Sequence, residues 1–456
     1  MKKVLVANRG EIALRISRAV QEIGMQAVAV FPADDAQSLH VSGADVAVEL
    51  PGRGAAAYLD IPTVVAAAKN NDCDAVHPGY GFLSENADFA AAVEAAGLVF
   101  IGPSVAALKA FGDKAQAREI AQQCGVPVLA GSADALSLSA AEEFFTAHAD
   151  SGILLKAIAG GGGRGMRVVR RVDELADAYQ RCASEAQAAF GNDGLYAEQF
   201  IDQARHIEVQ IIGDGSGAVS HVWERECSVQ RRHQKLVEIA PSPTLDPTVR
   251  EQMCAAAVTL GQQLNYAGLG TIEFLLDNRS GEFYFIEANA RLQVEHTVTE
   301  EVTGVDLVQA QLRIADGASL ADLGLLQEAI PAPRGFAIQL RINAETMTAN
   351  GEVKPTGGRL SKFEAPTGPG LRTDTYAYGG YSTNPNYDSL LAKLICSNPS
   401  ANYADTVRRA QRALKDLVIE GVATNQYFLQ ALLATEDFAA NQLTTRYLDE
   451  HMAALV

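Results

Sequence analysis

At 456 residues the chain is too long for a single hydrophobic core, so we expect two to four domains. It carries 37 Lys and Arg against 55 Asp and Glu, and its net charge of −18 disfavours nucleic acid and anionic membranes as partners. The sequence contains no run of about 18 apolar residues, so no transmembrane helix is predicted. The N-terminal apolar stretch is too short for a signal peptide, and six scattered cysteines without a CxxC pair indicate a reducing compartment, the cytoplasm.

The first hundred residues alternate short apolar strands with helices, which is typical of a βαβ unit with a mainly parallel sheet. Strands are predicted at 3–7, 26–31, 74–77 and 98–101, with helices at 11–23 and 86–96. The turn after the first strand lacks GxGxxG, so a dinucleotide site is not supported. The turn at 78–81, with Tyr80 and Gly81, follows a strand, where ligands sit in open α/β sheets; an ordinary tight turn is the alternative.

A glycine-rich stretch at 160–165 dominates the next part of the chain. It follows a strand ending in Lys156 and precedes a strand at 166–169, so its context is neither that of a dinucleotide fingerprint nor that of a P-loop. Backbone N–H groups of glycines can approach phosphates, so we predict a lid over a nucleotide. A helix at 173–190 and a strand at 195–199 complete this small α+β unit. Before it, Lys114 lies in a helix predicted at 105–124, where a lone Lys is usually solvated.

A third unit opens with a strand at 206–213 and then becomes cationic. The basic residues within eleven positions are Arg225, Arg231, Arg232, His233 and Lys235. On so acidic a chain this cluster predicts an anion site, and a solvated basic loop is the alternative. His206 and His233 lack the spacing of zinc ligands, so we expect them to pack or to form hydrogen bonds.

A predicted hairpin at 270–286 carries acidic residues on facing strands. If Asp277 pairs with Phe283, then Glu273 pairs with Glu287. Facing carboxylates repel by up to about 1 kcal/mol, and a cation between them removes that cost. With Asn289 two residues further on, the oxygen-rich set suits Mg²⁺, which keeps water and nucleotide phosphates as its other ligands.

Residues 287–295 alternate polar and apolar side chains, which is the period of an extended strand. The acids and the amide at its start suit a cation, whereas Arg291 and Glu295 suit an anionic reactant and a base; a solvated strand face is the alternative. Fully extended, the segment would span roughly 25 Å, which is too long for one reaction centre. We therefore expect the strand to end near Asn289 and the chain to curl around the anion.

These features resemble the ATP-grasp superfamily and, more closely, the biotin carboxylase component of biotin-dependent carboxylases, over essentially the whole chain. The strings that carry the resemblance are Asn8-Arg9-Gly10-Glu11-Ile12-Ala13, His77-Pro78-Gly79-Tyr80-Gly81, Gly112-Asp113-Lys114, Gly160 to Met166, Arg205-His206-Ile207-Glu208, Arg232-His233-Gln234-Lys235 and Arg291-Leu292-Gln293-Val294-Glu295-His296. The implied fold is α/β and α+β, an ATP-grasp fold. It has a Rossmann-like N-terminal domain (1–112), a lid region with connecting helices (113–201), a catalytic domain (202–334) and a mixed α+β C-terminal domain (335–456).

The resemblance also implies roles for individual residues. Those expected at ATP are Lys114, Lys156, Gly162, Gly163, Glu198, Gln199, Phe200, Ile201, His206, His233, Glu273 and Glu287. Those expected at two Mg²⁺ or Mn²⁺ ions are Glu273, Glu287 and Asn289. Bicarbonate falls to Lys235, Arg291 and Val294, and biotin to Tyr80, Gly81 and Arg341. The implied catalytic set is Lys235, Arg291, Glu295 as the base, and Arg341 as the cation that stabilises the biotin enolate.

The implied activity is ATP- and bicarbonate-dependent carboxylation of biotin through carboxyphosphate. The only Met-Lys pair is Met1-Lys2, so biotin is expected on a separate carrier protein or domain, and the acyl acceptor on a carboxyltransferase partner; a homodimer is also implied. Gln199, Ala204 and Thr297 depart from the Lys, Pro and Pro common in the family, and the lost charge at Gln199 predicts weaker nucleotide binding. Two alternatives remain, an ATP-grasp carboxylate–amine ligase and a catalytically silent nucleotide-binding subunit.

Overall fold

The N-terminal unit is a parallel sheet with helices between its strands. The computed structural model describes residues 1–132, 135–158, 165–232 and 234–456. The elements of this unit are β1 (Lys3–Val6), α1 (Gly10–Glu22), β2 (Gln26–Pro32), α2 (Leu39–Gly43), β3 (Val46–Leu50), α3 (Ala55–Tyr58), α4 (Ile61–Asn70), β4 (Ala75–His77), α5 (Ala87–Ala95), β5 (Val99–Phe100) and α6 (Val105–Gly112). The five strands pair in parallel in the order β3-β2-β1-β4-β5, as the βαβ pattern predicts.

The centre of this sheet brings two loops together at one edge. Because β1 and β4 are parallel neighbours, the chain leaves both at their carboxyl ends, where ligands sit in such sheets. Asn8, directly after β1, donates hydrogen bonds from Nδ2 to the carbonyls of Pro78 at 2.7 Å and Tyr80 at 2.8 Å. The amide therefore fixes the loop that carries Tyr80 against the start of α1.

The region 105–124, which was predicted as one helix, forms two helices, and the break between them positions Lys114. Asp113 ends α6, and its Oδ1 accepts hydrogen bonds from the N–H groups of Ala115 at 2.9 Å and Gln116 at 3.0 Å. An Asp N-cap of this kind satisfies N–H groups that have no partner in the first helical turn. A new helix, α7 (Lys114–Gln123), consequently begins with Lys114 at its exposed first position.

A small antiparallel sheet with two helices forms the second unit. Its remaining elements are α8 (Leu138–Ala147), β6 (Ile153–Ala157), β7 (Met166–Val169), α9 (Val172–Phe190) and β8 (Leu195–Gln199), with strand order β7-β6-β8. Apolar residues from both helices and the sheet, among them Phe145, Leu155, Leu175 and Ala197, form a separate small core. The predicted phosphate-binding glycines, Gly162 and Gly163, lie outside the described residues.

One eight-stranded antiparallel sheet carries most of the rest of the chain, in the order β13-β12-β9-β10-β11-β14-β19-β18. Its first half and the adjoining helices are β9 (Ala204–Asp214), β10 (Val219–Arg231), β11 (Gln234–Ala240), α10 (Pro247–Gln263), β12 (Ala267–Asp277), β13 (Phe283–Asn289), α11 (His296–Thr303) and α12 (Leu307–Ala315). The C-terminal elements are β14 (Phe336–Asn343), β15 (Glu345–Met347), β16 (Val353–Pro355), β17 (Lys362–Glu364), β18 (Leu371–Thr375), β19 (Leu390–Asn398), α13 (Tyr403–Asp416), β20 (Val418–Glu420), α14 (Gln426–Leu433), α15 (Glu436–Ala439) and α16 (Tyr447–Leu455). Because β11 pairs with β14, the sheet runs across residue 334 without interruption.

The hairpin of β12 and β13 has the predicted pair but not the predicted register at its turn. Glu273 pairs with Glu287, as expected, whereas Phe283 faces Leu276 and not Asp277. A β-bulge between Glu273 and Phe274 adds one residue to the pairing, so the two ends of the hairpin differ by one position. None of the helices in the described ranges is long and apolar enough to cross a membrane.

Candidate active site

A single cavity of about 910 Å³ lies where the small sheet, the large sheet and the N-terminal unit meet. It is lined by every predicted site residue that the structure describes, which are Tyr80, Gly81, Lys114, Lys156, Glu198, Gln199, Phe200, Ile201, His206, Lys235, Glu273, Glu287, Asn289, Arg291, Val294, Glu295 and Arg341. The other three, Gly162, Gly163 and His233, lie outside the described residues. The fold thus collects side chains that are up to 261 positions apart, from Tyr80 to Arg341, in one place.

The proposed base lies in a tight turn between a strand and a helix. β13 ends at Asn289, as the sequence predicted, and α11 begins at His296, so Glu295 is the residue immediately before the helix. Its side chain is buried, with 1 % of its surface exposed. The turn brings Glu295 back beside the cavity wall and shortens the path that an extended segment would take.

Two cations hold the Glu295 carboxylate. Lys235 Nζ lies 2.7 Å from Oε1, and Arg341 Nη2 lies 3.1 Å from Oε2. Burial alone raises the pKa of Glu295, but the positive charges of Lys235 and Arg341 outweigh it and hold the pKa well below its ordinary value. The carboxylate is therefore ionised at neutral pH and able to accept a proton.

Two buried acids that the sequence did not assign to the site hold these cations in turn. Lys235 Nζ lies 2.5 Å from Glu208, and Arg341 Nε donates to Glu238 at 2.6 Å. Glu208 and Glu238 have no exposed surface. The alternation of His206, Glu208 and Gln210 along β9 was an available signal for Glu208, because period two puts these side chains on one face.

The basic segment does not form one anion site, and the prediction is wrong for two of its five members, Arg225 and Arg231. Arg225 is fully buried and its guanidinium is bonded to Glu208, while Arg231 Nη1 donates to Glu345 at 2.7 Å. Arg232 lines the cavity, as does Lys235. The reason is structural: the segment is a pair of antiparallel strands, β10 and β11, and strands distribute successive side chains over both faces.

An excess of acid lies at the other end of the cavity. Glu273 is compensated by Lys235 Nζ at 2.9 Å, lies 2.8 Å from His206 Nε2, and accepts a hydrogen bond from Asn289 Nδ2 at 2.8 Å. Burial and the neighbouring Glu273 raise the pKa of Glu287. Two carboxylates on paired strands with an amide oxygen nearby are the ligand set that Mg²⁺ accepts, so these residues fit a metal ion.

The nucleotide end of the cavity is built from less buried side chains. Lys114 is exposed, and Lys156 on β6 donates to the Glu198 carboxylate on β8. Arg118 Nη1 donates to the same carboxylate at 2.9 Å, a contact that the sequence did not predict. The charge of Glu198 is therefore neutralised by two cations, Lys156 on β6 and Arg118 on α7.

His206 hydrogen-bonds as expected. Its Nδ1 lies 2.6 Å from Gln230 Nε2, and its Nε2 faces Glu273. His206, Glu208 and Glu273 lie close enough together to hold an ion. The ammonium of Lys235 contacts both of these acids, Glu208 and Glu273.

The remaining predicted residues lie on the side of the cavity that faces the N-terminal unit. Arg291 Nε donates to Glu85 at 2.8 Å, and its Nη2 donates to Asn289 Oδ1 at 2.9 Å. The Tyr80 hydroxyl donates to Glu11, the first acid of α1. Arg291 thus links the turn before Glu295 to the loop that follows β4, and Tyr80 links that loop to α1.

Comparison with known proteins assigns the family. Residues 1–108 match the biotin carboxylase N-terminal domain, residues 113–323 match the carbamoyl-phosphate synthase L chain ATP-binding domain, and residues 339–450 match the biotin carboxylase C-terminal domain. A biotin carboxylase from Nostoc sp. is 47% identical over 452 residues, which cover 98% of this chain and 98% of the relative. The chain belongs to the biotin carboxylase family.

Longer relatives and solved structures agree with this assignment. Human mitochondrial pyruvate carboxylase is 49% identical over 456 residues, but the chain spans only 38% of its length. The biotin carboxylase domain of a single-chain bacterial carboxylase superposes with a TM-score of 0.89 at 48% identity, covering 100% of this chain and 98% of that one. A Campylobacter jejuni biotin carboxylase superposes at 0.92 with 40% identity, covering 99% of each. The predicted fold class, an ATP-grasp fold of mixed α/β type, is confirmed.

One departure from the usual family sequence, Thr297, is connected to the site through other side chains. The Thr297 hydroxyl donates to the Gln339 side chain, whose Nε2 donates to Glu238 at 2.9 Å. Glu238 in turn holds Arg341. Thr297 is therefore two hydrogen-bonded side chains away from a proposed catalytic cation, closer than its sequence position suggested.

Proposed function

We propose that the chain carboxylates biotin with ATP and bicarbonate, giving carboxybiotin, ADP and phosphate. The observation that carries the proposal is the position of Glu295, ionised between Lys235 and Arg341 in a cavity that also holds the acid pair Glu273 and Glu287. A base flanked by cations suits a weakly nucleophilic anion that must lose a proton. A solved relative supports the substrates, because the biotin carboxylase domain of Hydrogenobacter thermophilus 2-oxoglutarate carboxylase was solved with MgADP and bicarbonate, at TM-score 0.93 and 42% identity.

ATP would lie with its phosphates between the two lysines and the acid pair. Lys114 and Lys156 approach the cavity from α7 and β6, while Glu273, Glu287 and Asn289 would hold Mg²⁺. Bound there, the metal supplies charge neutralisation for the β- and γ-phosphates. We assign the adenine edge to residues 198–201, which line the same end of the cavity.

Bicarbonate would bind at the Glu295 end. Lys235, Arg291 and the Val294 backbone would hold it while Glu295 takes its proton. A bicarbonate oxygen then attacks the γ-phosphorus, the bond to the β-phosphate oxygen breaks, and ADP leaves with that electron pair. The product is carboxyphosphate, and the surrounding cations offset its charge.

The second step would transfer carbon dioxide. The carbon–oxygen bond of carboxyphosphate breaks, its electrons stay on phosphate, and that phosphate takes the proton from the biotin ureido nitrogen. The nitrogen then bonds to the carbon of CO₂. Arg341 would stabilise the enolate form of biotin, with Tyr80 and Gly81 forming the adjacent wall.

We also propose partners, an oligomeric state, a location and domain boundaries for the chain. We place biotin on a carrier protein or domain and the acyl acceptor on a carboxyltransferase, because relatives include complete pyruvate carboxylases, of whose length this chain spans 38%. A homodimer is supported by the dimeric 2-oxoglutarate carboxylase domain.

A cytoplasmic location is supported by the six free cysteines, five of them buried. The proposed domain boundaries follow residues 112, 201 and 334.

The test is ATP hydrolysis by the purified chain with and without bicarbonate and free biotin. We expect ADP release to require bicarbonate and to rise with biotin, with carboxybiotin trapped from labelled bicarbonate. ADP release that needs an amine and a carboxylic acid instead would indicate a ligase of the other ATP-grasp type. Nucleotide binding without turnover under all conditions would indicate a silent subunit, and either result would overturn the proposal.

A further inference from the structure

A fully buried lysine in the C-terminal half of the chain reaches the turn that carries the proposed base. Lys393 lies on β19 with no exposed surface, among the apolar neighbours Ala392 and Leu394. Its Nζ donates to the carbonyl of Val294 at 3.0 Å and lies 3.1 Å from Glu11 Oε2. Burying an ammonium is costly unless it is paired and hydrogen-bonded, so this position is tightly specified.

Lys393 and Arg341 form a cross-strand pair that holds the same turn. β14 pairs with β19 so that Arg341 faces Lys393 directly, and paired residues project from the same face of a sheet. Arg341 contacts the carboxylate of Glu295, while Lys393 contacts the carbonyl of the residue before it. Two neighbouring strands, β14 and β19, therefore fix both the side chain and the backbone of the turn.

The orientation of two peptide groups follows from their carbonyls. His296 Nδ1 lies 2.7 Å from the Gln293 carbonyl, and Lys393 holds the Val294 carbonyl. In a trans peptide the N–H points opposite to the C=O, so the N–H groups of Val294 and Glu295 point away from these partners. Among the described residues neither N–H donates to another protein group, and both residues line the cavity. Two successive free N–H groups suit an anion.

The same lysine connects this turn to the opposite wall. Glu11 Oε1 accepts from the Tyr80 hydroxyl, while Lys393 lies at the other oxygen of the same carboxylate. Asp374, the neighbour of Lys393 on β18, lies 3.9 Å from its Nζ. Lys393 is thus in contact with the N-terminal unit and with the turn before α11 at once.

We propose that Lys393 is a positioning residue that orients the Val294–Glu295 peptide for bicarbonate and couples it to Tyr80. The inference rests on the proposed function, since it assumes that bicarbonate binds at this turn. Loss of the ammonium frees the Val294 carbonyl, and the peptide then rotates among orientations of which few present its N–H to the anion. The defect falls on bicarbonate and not on ATP, because those proposed ATP ligands that the structure describes form no hydrogen bond or ion pair with Lys393.

The test compares Lys393→Met, the double variant Glu11→Gln/Lys393→Met, and Lys415→Met, an exposed lysine on α13, as the control. Bicarbonate KM, ATP affinity and the thermal midpoint are measured for each with free biotin present. We expect Lys393→Met to raise the bicarbonate KM about tenfold or more, with ATP affinity unchanged within about twofold. Lys415→Met should match the wild type.

The double variant separates positioning from charge balance. It removes the Glu11 charge that Lys393→Met would leave buried and unpaired, so it folds even if the single variant does not. A raised bicarbonate KM in the double variant supports positioning, whereas a wild-type KM there, or in a folded Lys393→Met protein, overturns it. Failure of both variants to fold assigns Lys393 to the fold alone and also overturns it. A wild type without bicarbonate-dependent turnover would instead overturn the proposed function.

Discussion

The two ends of the cavity are built in different ways. At the bicarbonate end, Glu295, Lys235 and Arg341 are held by direct ion pairs whose outer partners, Glu208 and Glu238, are fully buried. At the nucleotide end, Lys114 is exposed and Gln199 is half-buried. Charges in a buried network are preorganised by their partners, whereas exposed side chains have fewer groups to hold them.

The difference indicates where the chain fixes its chemistry and where it allows adjustment. Proton removal from bicarbonate requires a base held at a set position, and preorganised charges avoid reorganisation during the reaction. A nucleotide must enter and leave, and ligands on exposed elements permit this movement. Substitutions at the bicarbonate end should therefore cost more than equivalent substitutions at the nucleotide end.

The largest effect is expected for Glu295→Gln. The amide cannot take a proton from bicarbonate, so kcat for bicarbonate-dependent ATP hydrolysis should fall about a hundred- to ten-thousand-fold, while ATP binding stays intact. Glu301→Gln, on the helix that follows Glu295 but bonded to Ser397, is the matched control and should stay active. Steady-state kinetics and nucleotide titration measure the two quantities. A Glu295→Gln protein with normal turnover would place the base elsewhere.

Lys235→Met should produce the next largest effect, on both stability and activity. The ammonium lies within 2.5 to 2.9 Å of Glu208, Glu273 and Glu295, so its removal leaves buried acids less compensated. Breaking a buried ion pair in this way costs about 3–5 kcal/mol of unfolding free energy. Urea unfolding measures it, with Lys415→Met as the exposed control. Equal losses in the two variants would contradict the contrast between the buried and exposed cations.

Glu287→Gln tests the acid excess at the metal end through its pH dependence. Because burial and Glu273 raise the folded-state pKa of Glu287, the ionised carboxylate destabilises the ligand-free protein above that pKa. The variant should therefore unfold at higher temperature than the wild type at pH 7. The difference should vanish as the pH falls below the unfolded-state pKa, because the carboxyl group is then protonated in the folded and the unfolded protein alike.

The same substitution should weaken Mg²⁺ binding, because it removes one of the two facing carboxylates. Thermal scans with MgATP should therefore favour the wild type and reverse the order seen without ligand. Glu282→Gln, at the exposed end of the same hairpin, is the control for both measurements. A variant that is less stable than the wild type without ligand at pH 7 would show that Glu287 is not under electrostatic strain.

The smallest effect is expected for Gln199→Lys. This residue is half-buried at the end of β8, so a new positive charge should tighten ATP binding by no more than about fivefold. Gln203→Lys, an exposed residue four positions later, is the control for added charge. Nucleotide titration at two salt concentrations measures both. If the gain in ATP binding exceeded the loss caused by every substitution at the bicarbonate end, the nucleotide end would be the more sensitive of the two ends.

The acid pair was predicted correctly from a hairpin register that is wrong at its turn. Pairing Asp277 with Phe283 placed Glu273 opposite Glu287, and the structure pairs these two acids although Phe283 faces Leu276. The predicted register at the turn was off by one, since a bulge cannot be read from alternation alone. The anion-site prediction for the basic segment was also wrong in part, because strand pairing buries Arg225 and leaves Lys235 at the cavity.

The acids behind the reaction centre show what local patterns cannot supply. Glu208 and Glu238 lie in apolar strands, and the cations that they hold are respectively 27 and 103 positions away in the chain. A lone charge in a buried strand indicates that a partner exists without identifying it. The contact between Lys393 and Val294, 99 positions apart, depends likewise on strand order.

Motifs along the chain determined the family, the βαβ unit and the predicted residues that line the cavity, because each of these depends on short-range spacing. Tertiary structure alone decided which charges neutralise each other, where the hairpin bulges, and how the turn before α11 is held. The physical reason is that a buried charge takes its energy from whatever lies within a few ångströms, and strands distant in sequence supply those neighbours. The residues of the site could therefore be identified from local sequence, whereas their electrostatic interactions could not.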